Sequence, residues 1–556
     1  MIAAAEEERF TRVKHGKRPV PFSAWQQPWH AIAYCLEAAG IHLRDVDRFA
    51  YSFDPGLLRQ DLAPGDQIVL PLEPSAHIRP DGAGPWDPLF LSYIVNAPRQ
   101  VVSGYPHHLQ EHFQDTRLED VLARWSFLEH HLAHEASAFL ASPFEEAAVL
   151  TMDGRGERVS TSCGHFHEGR YERIRQVELP HSLGLLYEDV TRYLGFLHSS
   201  DEYKVMALAS YGQPVHADVF HEVVQGDGEG GYRVNRCDFE AAFGPARRRG
   251  EPFEQRHMDI AQSLQKVLEE TVLEVLTWLH RRTGSENLCM AGGVALNCVM
   301  NARVAREGPF KRVWVQPAAG DAGTSLGAAL WLDFLNRDRR RAWHMDHAYL
   351  GPEYRDDEIL RFLQRSGVPF RAMSDVAEEA AALLAEEKVL AWFQGRMEFG
   401  PRALGARSIL ASPRRAEMQA RLNELKDRED FRPVAPVVMQ EMAHEWFVPH
   451  DGQQDIEAPY MLFVFDVRPE VADRIPAVRH TDGTARVQTV RAEQNPLLHD
   501  LLRAFAELTG VPVLVNTSFN TRGEPVVCTP RDALESFFTS PLDALVIGKF
   551  LVEKSS

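Results

Sequence analysis

Two histidines and two aspartates have the types and spacing of a divalent metal site. His130 and His134 occur four residues apart in EHHLAHEA, and in a helix they would share one face. Asp153 lies in the turn after an apolar segment, and Asp321 lies in the glycine-containing loop 319–324. Imidazole and carboxylate ligands suit iron, manganese or zinc and leave coordination positions open. The alternative is a surface helix that carries histidines.

Three glycine-rich loops could bring backbone amides close to an anion or a nucleoside. They occupy positions 153–157, 292–297 and 320–323. A single glycine turn often serves only strand-to-helix packing. Three of them, none matching the Walker or dinucleotide-binding pattern, predict an actin-like ATPase cleft with Gly292, Gly293 and Asn297 at the nucleotide. Lys204, in DEYKVM, is a candidate phosphate contact, and a solvated surface lysine is the alternative.

The C-terminal part of the chain collects cationic and amide side chains around short turns. Arg402 and Arg407 lie among Gly, Pro and Ala in GPRALGARS. Further candidates are Lys426, Arg432, Arg486, Asn516 and Ser518. Guanidinium groups bind phosphate through paired hydrogen bonds, and amides and hydroxyls add donors. The pattern predicts a site for a small acyl phosphate and nucleotide phosphates. Surface salt bridging is the alternative, and it suits the charged run 426–430 best.

Periodic patterns predict the elements that would position these residues. An apolar strand at 147–152, an Asp-Gly turn and a second strand at 161–167 predict a β-hairpin. Helices are predicted at 184–194 and at 258–279, where apolar residues recur at helical spacing. Further strands, glycine loops and helix starts follow at 288–297, 312–316 and 321–330. This alternation is typical of an α/β fold.

Composition limits the class of protein. The 556 residues suit about three to four domain-sized units, and 44% hydrophobic residues are ordinary for a folded chain. A net charge of −19 argues against a nucleic-acid partner, because phosphate backbones are bound by basic surfaces. The six cysteines include no C-x-x-C pair, so neither a disulfide framework nor a thiolate zinc site is indicated. Without an apolar run of ~18 residues or a signal-peptide pattern, a cytoplasmic enzyme with no membrane partner is expected.

Two domains are predicted, over 1–345 and 355–556, joined by a charged, proline-containing linker at 336–356. The chain begins with MIAAAEEERF, which reads like a strand end followed by a charged turn. We therefore expect the first strand and loop of the N-terminal domain to be missing. No feature of the sequence indicates an oligomeric state.

Nine segments of the chain, in order, resemble the O-carbamoyltransferases of antibiotic and nodulation-factor pathways. This family includes the tobramycin, novobiocin, cephamycin and geldanamycin enzymes. The segments are AAAEEERFTRVKH, HHLAHEASA, EYKVMALASYG, AGGVALN, GDAGTSLGAA, FQGRMEFGPRALGARSIL, FRPVAP, HTDGTARVQTV and VNTSFNTRGEP. The resemblance therefore extends over nearly the whole chain.

The resemblance implies an ATP-dependent enzyme with two sites. The N-terminal domain would have an actin-like fold similar to the tRNA threonylcarbamoyl transferase. The C-terminal domain would be an α/β domain similar to threonylcarbamoyl-adenylate synthase. The C-terminal site would form carbamoyl-adenylate from carbamoyl phosphate and ATP. The N-terminal site would then transfer the carbamoyl group to a hydroxyl of a small-molecule natural product, as in antibiotic biosynthesis.

The resemblance also implies residue roles. A divalent metal, with Fe²⁺ expected first and Mn²⁺, Mg²⁺ or Zn²⁺ as alternatives, would be held by residues matching His130, His134, Asp153 and Asp321. In the C-terminal domain, Arg402, Lys426 and Arg432 would be catalytic. Carbamoyl phosphate and ATP would also meet Asn516 and Ser518, and Arg407 is an alternative match to Arg402.

Three questions stay open at this point. Family members carry a strand and a His-Asp-Ser loop ahead of AAAEEERF, and that loop could hold the general base, so its absence here suggests a truncated sequence. A kinase or other phosphotransferase on the actin-like core is the alternative enzyme, and a nucleotide-gated binding module is a third interpretation. The segment 54–106, rich in Pro, Gly and aromatic residues, is either an acceptor pocket or a surface excursion.

Overall fold

The computed structural model describes residues 1–14, 27–58, 91, 93–104, 113, 115–450, 455–521 and 523–554. The α-helices of this part of the chain are α1 (Glu7–Thr11), α2 (Trp29–Ala39), α3 (Ala97–Ser103), α4 (Leu118–Leu122), α5 (His130–Phe139), α6 (Leu183–Tyr193), α7 (Glu202–Ala209), α8 (Ala217–Val223), α9 (Phe239–Phe243), α10 (Gln255–Thr283), α11 (Cys298–Glu307), α12 (Ala322–Asn336), α13 (Asp356–Ser366), α14 (Val376–Ala385), α15 (Glu417–Leu425), α16 (Ala443–Trp446), α17 (Pro496–Thr509) and α18 (Pro530–Phe538).

The strands of the same residues form two large sheets and three two-stranded ones. They are β1 (Phe49–Tyr51), β2 (Trp125–Phe127), β3 (Ala147–Met152), β4 (Val159–His167), β5 (Arg170–Glu178), β6 (Val224–Gly226), β7 (Tyr232–Val234), β8 (Asn287–Ala291), β9 (Arg312–Val315), β10 (Arg371–Ala372), β11 (Leu390–Phe393), β12 (Arg407–Ala411), β13 (Ala435–Met439), β14 (Val464–Asp466), β15 (Thr484–Arg486), β16 (Gln488–Val490), β17 (Val513–Ser518), β18 (Ala544–Ile547) and β19 (Phe550–Glu553).

The first large sheet has the strand order β5-β4-β3-β8-β9. Strands β3, β4 and β5 form an antiparallel meander, and β8 and β9 run parallel to β3. All six residues of β3 are buried, as expected of a strand covered on both faces. Ala148 and Leu150 join the cluster that contains α10, whereas Val149 joins the cluster of Phe139 on α5. The two-residue period of the strand thus divides its side chains between two helical layers.

Several predicted elements of this sheet are confirmed. β3 and β4 pair as the predicted hairpin, with Leu150 opposite Cys163. The predicted helix at 258–279 is observed as α10, Gln255–Thr283, and it ends at Gly284 in the left-handed conformation. Its ends lie outside the apolar periodicity because the first and last turns are polar. All six cysteines are free.

The second large sheet has eight strands in the order β10-β19-β18-β11-β12-β17-β13-β16. It is mixed, since β11 runs parallel to β18 and antiparallel to β12. Helices α14 and α17 pack against one another and against its strands. Both sheets therefore alternate with helices, and the α/β class predicted from the sequence is confirmed.

The segment predicted as a linker is packed rather than free. Residues 337–355 contain no helix or strand in the part of the chain that the structure describes. Met345, Ala348 and Leu350 are nevertheless buried, and the carbonyl of Leu350 accepts a hydrogen bond from the backbone N–H of Ala4. The exact domain boundaries remain a prediction.

The topology brings three loops of the first sheet to one edge. β3, β8 and β9 are parallel, so their carboxyl ends coincide. Asp153 follows β3, Gly292 follows β8, and Asp321 follows the turn after β9. The backbone N–H of Gly292 donates to the carbonyl of Ala319, which ties two of these loops together. Ligands of open α/β sheets bind at this kind of edge.

None of the described helices is both long enough and apolar enough to cross a membrane.

Candidate active site

Helix α5 presents both predicted histidines from one face. Nε2 of His130 lies 3.1 Å from Nε2 of His134, and both residues are buried. The helix can lie deep because small residues line its contact with α12. A Cβ atom on Gly327 of α12 would overlap the carbonyl oxygen of Ala133. This close approach sets the position of the histidine pair.

Two carboxylates complete the group, which we call the histidine–aspartate cluster (His130, His134, Asp153 and Asp321). Nε2 of His130 lies 3.4 Å from Oδ2 of Asp153 and 3.6 Å from Oδ1 of Asp321. The corresponding distances from Nε2 of His134 are 4.0 and 3.9 Å. One ligand atom from each of the four residues lies within 4.8 Å of the others. The structure thus brings all four predicted residues together.

The donor set fits a divalent metal ion. Nδ1 of His130 lies 3.2 Å from the carbonyl oxygen of Ser52, so that nitrogen carries the proton and Nε2 is free to bind an ion. Oδ1 of Asp153 accepts a hydrogen bond of 2.8 Å from the backbone N–H of Gly293, which leaves Oδ2 facing the histidines. The Asp321 side chain is 74% exposed. An ion here would therefore have coordination positions open toward solvent.

The electrostatics of the cluster favour one charged and one neutral histidine. Burial opposes charge on His130, but its hydrogen bond with Asp153 and the charge of Asp321 raise its pKa to about 9. Burial and the charge of His130 lower the pKa of His134 to about 3. Although burial disfavours a charged carboxylate, the hydrogen bond with His130, the charge of His130 and the N–H of Gly293 hold the pKa of Asp153 well below its ordinary value. Two protonated histidines this close would repel each other, so only one of them is charged. A bound metal cation would take the place of the proton on that histidine.

A partly buried ion-pair network that the sequence did not suggest fixes α5 against the sheet. Arg173 on β5 donates two hydrogen bonds of 2.9 Å to Glu135 and one of 2.7 Å to Glu129. Glu135 also accepts from Ser162 and is fully buried. Because Glu135 follows His134 directly, this network constrains the rotation of the helix that carries the histidines. In the sequence, the indication of this network is the pair of acidic residues, Glu129 and Glu135, that flank HHLAH.

The predicted glycine loop lies beside the cluster. Gly292 has a positive φ of 92°, and a Cβ atom there would overlap the carbonyl of Met152. Gly293 supplies the N–H that binds Asp153. Asn297 caps α11 through Met300 and exchanges two hydrogen bonds with Gln265. The contact of Gly292, Gly293 and Asn297 with a nucleotide stays a prediction, and the Asn297 side chain already has partners.

Lys204 on α7 is engaged by carboxylates. Its Nζ lies 2.8 Å from Oε1 of Glu429 and 3.1 Å from Oδ2 of Asp201. Glu429 belongs to the region of the second sheet, so this ion pair links the two parts of the chain. A contact between Lys204 and phosphate stays a prediction, and it would have to displace or accompany these two carboxylates.

Four arginines converge at the second sheet, and we call them the arginine cluster: Arg402, Arg428, Arg432 and Arg486. Burial and the charges of Arg486 and Arg432 lower the pKa of Arg402 to about 9. Burial and the charges of Arg432 and Arg486 do the same for Arg428. Both groups stay charged at pH 7, so four like charges are held together at an electrostatic cost.

Several nitrogens of this cluster are shut off from solvent and find no hydrogen-bond partner among the described residues. They are Nε of Arg402, Nη2 of Arg428 and Nε of Arg486, together with Nε2 of the neighbouring His480. Buried donors without acceptors are rare in folded proteins. The three arginine nitrogens lie on like-charged side chains and are suited to a polyanion such as a phosphate.

Lys426 adjoins the cluster from the end of α15. Its Nζ donates to Oγ of Ser518 at 3.2 Å and to Oδ1 of Asn520 at 2.7 Å. Burial, followed by the charges of Arg428 and Arg432, lowers its pKa well below the ordinary lysine value. The predicted residues Arg402, Lys426, Arg432 and Ser518 are therefore brought together here.

Asn516 lies on the same strand as Ser518, and its amide donates to Ala403 and to Gln488. Its Oδ1 is buried without a partner among the described residues. The amide therefore supports the loop that carries Arg402.

Arg407 is turned into the core of the second sheet, and a substrate-binding role for it stays a prediction. Its guanidinium stacks on the Phe393 ring at 3.7 Å and donates to the carbonyl oxygens of Gln394, Ala406 and Pro352. The side chain is fully buried in the core. Small neighbours in GPRALGARS made both arginines look available, but β12 turns Arg407 inward. Of the two alternatives, Arg402 is the one that faces the arginine cluster.

Arg428 is the cluster residue that the sequence did not single out. The charged run 426–430 resembled a solvated surface, yet Arg428 lies among the other arginines and donates to Asn423 at 2.6 Å. On one side, the arginine cluster is contacted by a residue of the N-terminal part of the chain. The guanidinium of Arg432 lies 4.7 Å from the centre of the Tyr203 ring on α7. Such a long-range contact leaves no local signal in the sequence.

Two family models match this chain, one over each of the two regions that contain the large sheets. A family model described as the carbamoyltransferase N-terminus matches residues 1–330, and one described as the carbamoyltransferase C-terminus matches residues 381–554. An uncharacterized protein of Synechocystis sp. is 40% identical over 600 residues, covering 100% of this chain and 94% of the relative. Nodulation protein NolNO of Sinorhizobium fredii is 38% identical over 570 residues, covering 100% of this chain and 77% of the relative.

Among solved structures, T. kodakarensis HypF shares 15% sequence identity, with 42% of this chain and 40% of that chain covered and a TM-score of 0.25. That score is too low to carry an argument about the fold.

Proposed function

Because this chain belongs to the carbamoyltransferase family and is a carbamoyltransferase enzyme, we propose that it works in two ATP-dependent steps. The first step forms carbamoyl-adenylate from carbamoyl phosphate and ATP at the arginine cluster. The second transfers the carbamoyl group to a hydroxyl of a small-molecule natural product at the histidine–aspartate cluster. The observation that carries the proposal is the group of unpartnered buried nitrogens on Arg402, Arg428, Arg486 and His480.

The chemistry of the first step calls for such a cluster. Water releases phosphate from carbamoyl phosphate, and the carbamate oxygen then attacks the α-phosphorus of ATP, so that pyrophosphate leaves. Negative charge accumulates on the departing phosphate groups, and preorganised guanidinium groups stabilise it without reorganisation. Arg402, Lys426 and Arg432 are proposed as the catalytic residues of this step. Ser518, whose hydroxyl oxygen lies 3.2 Å from Nζ of Lys426, would add a donor.

Carbamate and its adenylate are prone to hydrolysis, so the residues around this site should also keep water away from them. Tyr203 covers Arg432 from the N-terminal region, and Phe431 accepts a hydrogen bond from Tyr211 at its carbonyl oxygen. These contacts close one side of the arginine cluster with aromatic surface. Excluding water would protect the activated acyl group.

The second step is placed at the carboxyl ends of β3, β8 and β9. His130, His134, Asp153 and Asp321 would hold one divalent ion, with Fe²⁺ expected first and Mn²⁺, Mg²⁺ or Zn²⁺ as alternatives. Such an ion would supply Lewis acidity and orient phosphate oxygens. The loop of Gly292 and Gly293 lies next to Asp153 and would bring backbone amides to the adenylate. The hairpin followed by two parallel strands supports an actin-like core for this region.

The proposal specifies the acceptor only by its chemical class, a small molecule that carries a hydroxyl group. Much of the segment 54–106, one candidate for its pocket, lies outside the described residues, namely 59–90, 92 and 105–106. The acceptor therefore has to be found by experiment.

A direct experiment is to incubate the protein with ATP, carbamoyl phosphate and a metabolite extract of its producer. The proposal predicts a product heavier by one carbamoyl group, with AMP, pyrophosphate and phosphate formed alongside it. ADP as the nucleotide product would instead favour a kinase on the same fold. Absence of any carbamoyl phosphate turnover would favour a binding module.

A further inference from the structure

A second group of metal-ligating side chains lies at the other end of the first sheet. Glu146 immediately precedes β3, and His165 and His167 lie two residues apart on β4. Residues two apart on a strand point to the same face. Asp153 follows the opposite end of the six-residue strand β3. At ~3.4 Å per residue, this group lies roughly 20 Å from the histidine–aspartate cluster along the strand.

The geometry of the three side chains is that of ligands around one ion. Nε2 of His165 lies 3.1 Å from Oε1 of Glu146, and Nδ1 of His167 lies 3.3 Å from Oε2 of Glu146. One ligand atom from each residue lies within 4.8 Å of the others. Ligand atoms on a tetrahedral zinc ion with bonds of ~2.1 Å lie roughly 3.4 Å apart. The two separations of 3.1 and 3.3 Å, each to a different oxygen of Glu146, are close to the length of such an edge.

The backbone around the three residues is held in place. The imidazole rings of His165 and His167 stack with centroids 5.4 Å apart and an angle of 12°. Asn287, the first residue of β8, donates to the carbonyl oxygen of Glu146 at 2.8 Å. Glu168 lies 3.6 Å from the other ring nitrogen of His167. An ion would therefore need little rearrangement to bind.

We propose that Glu146, His165 and His167 form a second metal site that takes a first-row transition ion such as Zn²⁺. Two imidazoles and one carboxylate select zinc, copper or nickel over magnesium and calcium. His167 is half exposed, so an ion can enter from solvent and water can fill the remaining positions. A bound ion would clamp the start of β3 to the end of β4. It would thereby stabilise the hairpin whose turn carries Asp153.

A purely hydrogen-bonded trio is the alternative, because each neutral imidazole can donate to one oxygen of Glu146. The two interpretations differ in their response to metal. A hydrogen-bonded trio shows no preference for zinc over magnesium and no change in zinc stoichiometry when a histidine is removed. A metal site prefers zinc over magnesium and loses zinc stoichiometry when a histidine is removed.

The test is calorimetric titration of chelator-treated protein with ZnCl₂ in the presence of excess Mg²⁺. The wild type is expected to bind two zinc ions, and the His165→Ala/His167→Ala variant is expected to bind one fewer while keeping carbamoyl transfer. His134→Ala should lose the other zinc ion. His221→Ala is the matched control, since His221 forms an exposed pair of 2.9 Å with Glu270 and both zinc ions should be kept.

A single variant guards against misfolding. His167→Gln changes only a half-exposed side chain, and it should also lose one zinc ion and the visible absorption of Co²⁺ bound at this site. Unchanged zinc stoichiometry in both His167→Gln and the double variant would overturn the proposal. So would failure of the wild type to bind a second zinc ion while Mg²⁺ is in excess.

Discussion

The guanidinium group of Arg402 donates a hydrogen bond of 3.5 Å to the carbonyl oxygen of Leu296. Leu296 belongs to the loop after β8, and the amide of Gly293 in that loop binds Asp153. Arg402 belongs to the arginine cluster of the second sheet. One side chain thus reaches from one cluster to the loop beside the other. The two clusters are therefore linked through one loop, and under the proposed function an intermediate released from one would have a short path to the other.

Removing one histidine of the histidine–aspartate cluster tests its role in transfer. His134→Ala should lose its metal ion and lower carbamoyl transfer by about 100-fold or more, since even outer-shell partners of a metal ligand are worth 10–100-fold. Metal content and transfer rate are the measurements. His221→Ala, an exposed histidine elsewhere on the chain, should change neither. Transfer at the wild-type rate in His134→Ala would contradict the assignment.

Replacing one arginine of the arginine cluster by a neutral residue should make the protein more stable and weaken its binding of pyrophosphate. Arg486 helps to lower the pKa of Arg402 to about 9, after burial, which marks unfavourable repulsion in the ligand-free protein. Arg486→Gln should therefore raise the free energy of unfolding by about 0.5–2 kcal/mol. It should weaken pyrophosphate binding by about tenfold or more, because a charge-assisted hydrogen bond contributes ~1.5–3 kcal/mol.

Thermal unfolding and calorimetric titration with pyrophosphate measure the two effects. Arg361→Gln is the control, because Arg361 is exposed and paired with Asp357, and both quantities should stay near the wild-type values. A less stable Arg486→Gln protein that binds pyrophosphate as tightly as the wild type would refute the role of the cluster.

The ion pair between Lys204 and Glu429 allows two roles for the lysine to be separated. If Lys204 serves to join the two regions, Lys204→Gln and Glu429→Gln should lower transfer to a similar extent, because each breaks the same contact of 2.8 Å. If Lys204 binds phosphate, only Lys204→Gln should raise the KM for ATP. Steady-state kinetics of the two variants side by side distinguishes these outcomes. The geometry favours the first.

The histidine–aspartate cluster could be predicted because its signals are local. Spacing of four residues on a helix brings His130 and His134 together, and an Asp-Gly turn after a buried strand marks Asp153. Parallel pairing then brings the loops after β3, β8 and β9 to one edge. The sequence pattern, without the fold, was enough to name these residues.

The residues that were missed depend on contacts between distant segments. Glu135 finds Arg173 only because β5 follows β4 in the meander. Arg428 lies near Tyr203, more than two hundred positions earlier, whose ring contacts Arg432. The inward orientation of Arg407 could not be predicted, because it is set by the pairing of β12 with β11. Periodicity within a segment carries no information about these long-range choices.

The central claim is that activation and transfer occur at separate clusters, and carbamoyl phosphate-dependent exchange of labelled pyrophosphate into ATP tests it without any acceptor. We predict that the wild type catalyses this exchange, that His134→Ala retains it, and that Arg402→Ala loses it. Exchange that disappears in His134→Ala but persists in Arg402→Ala, or ADP formation in place of exchange, would contradict the claim.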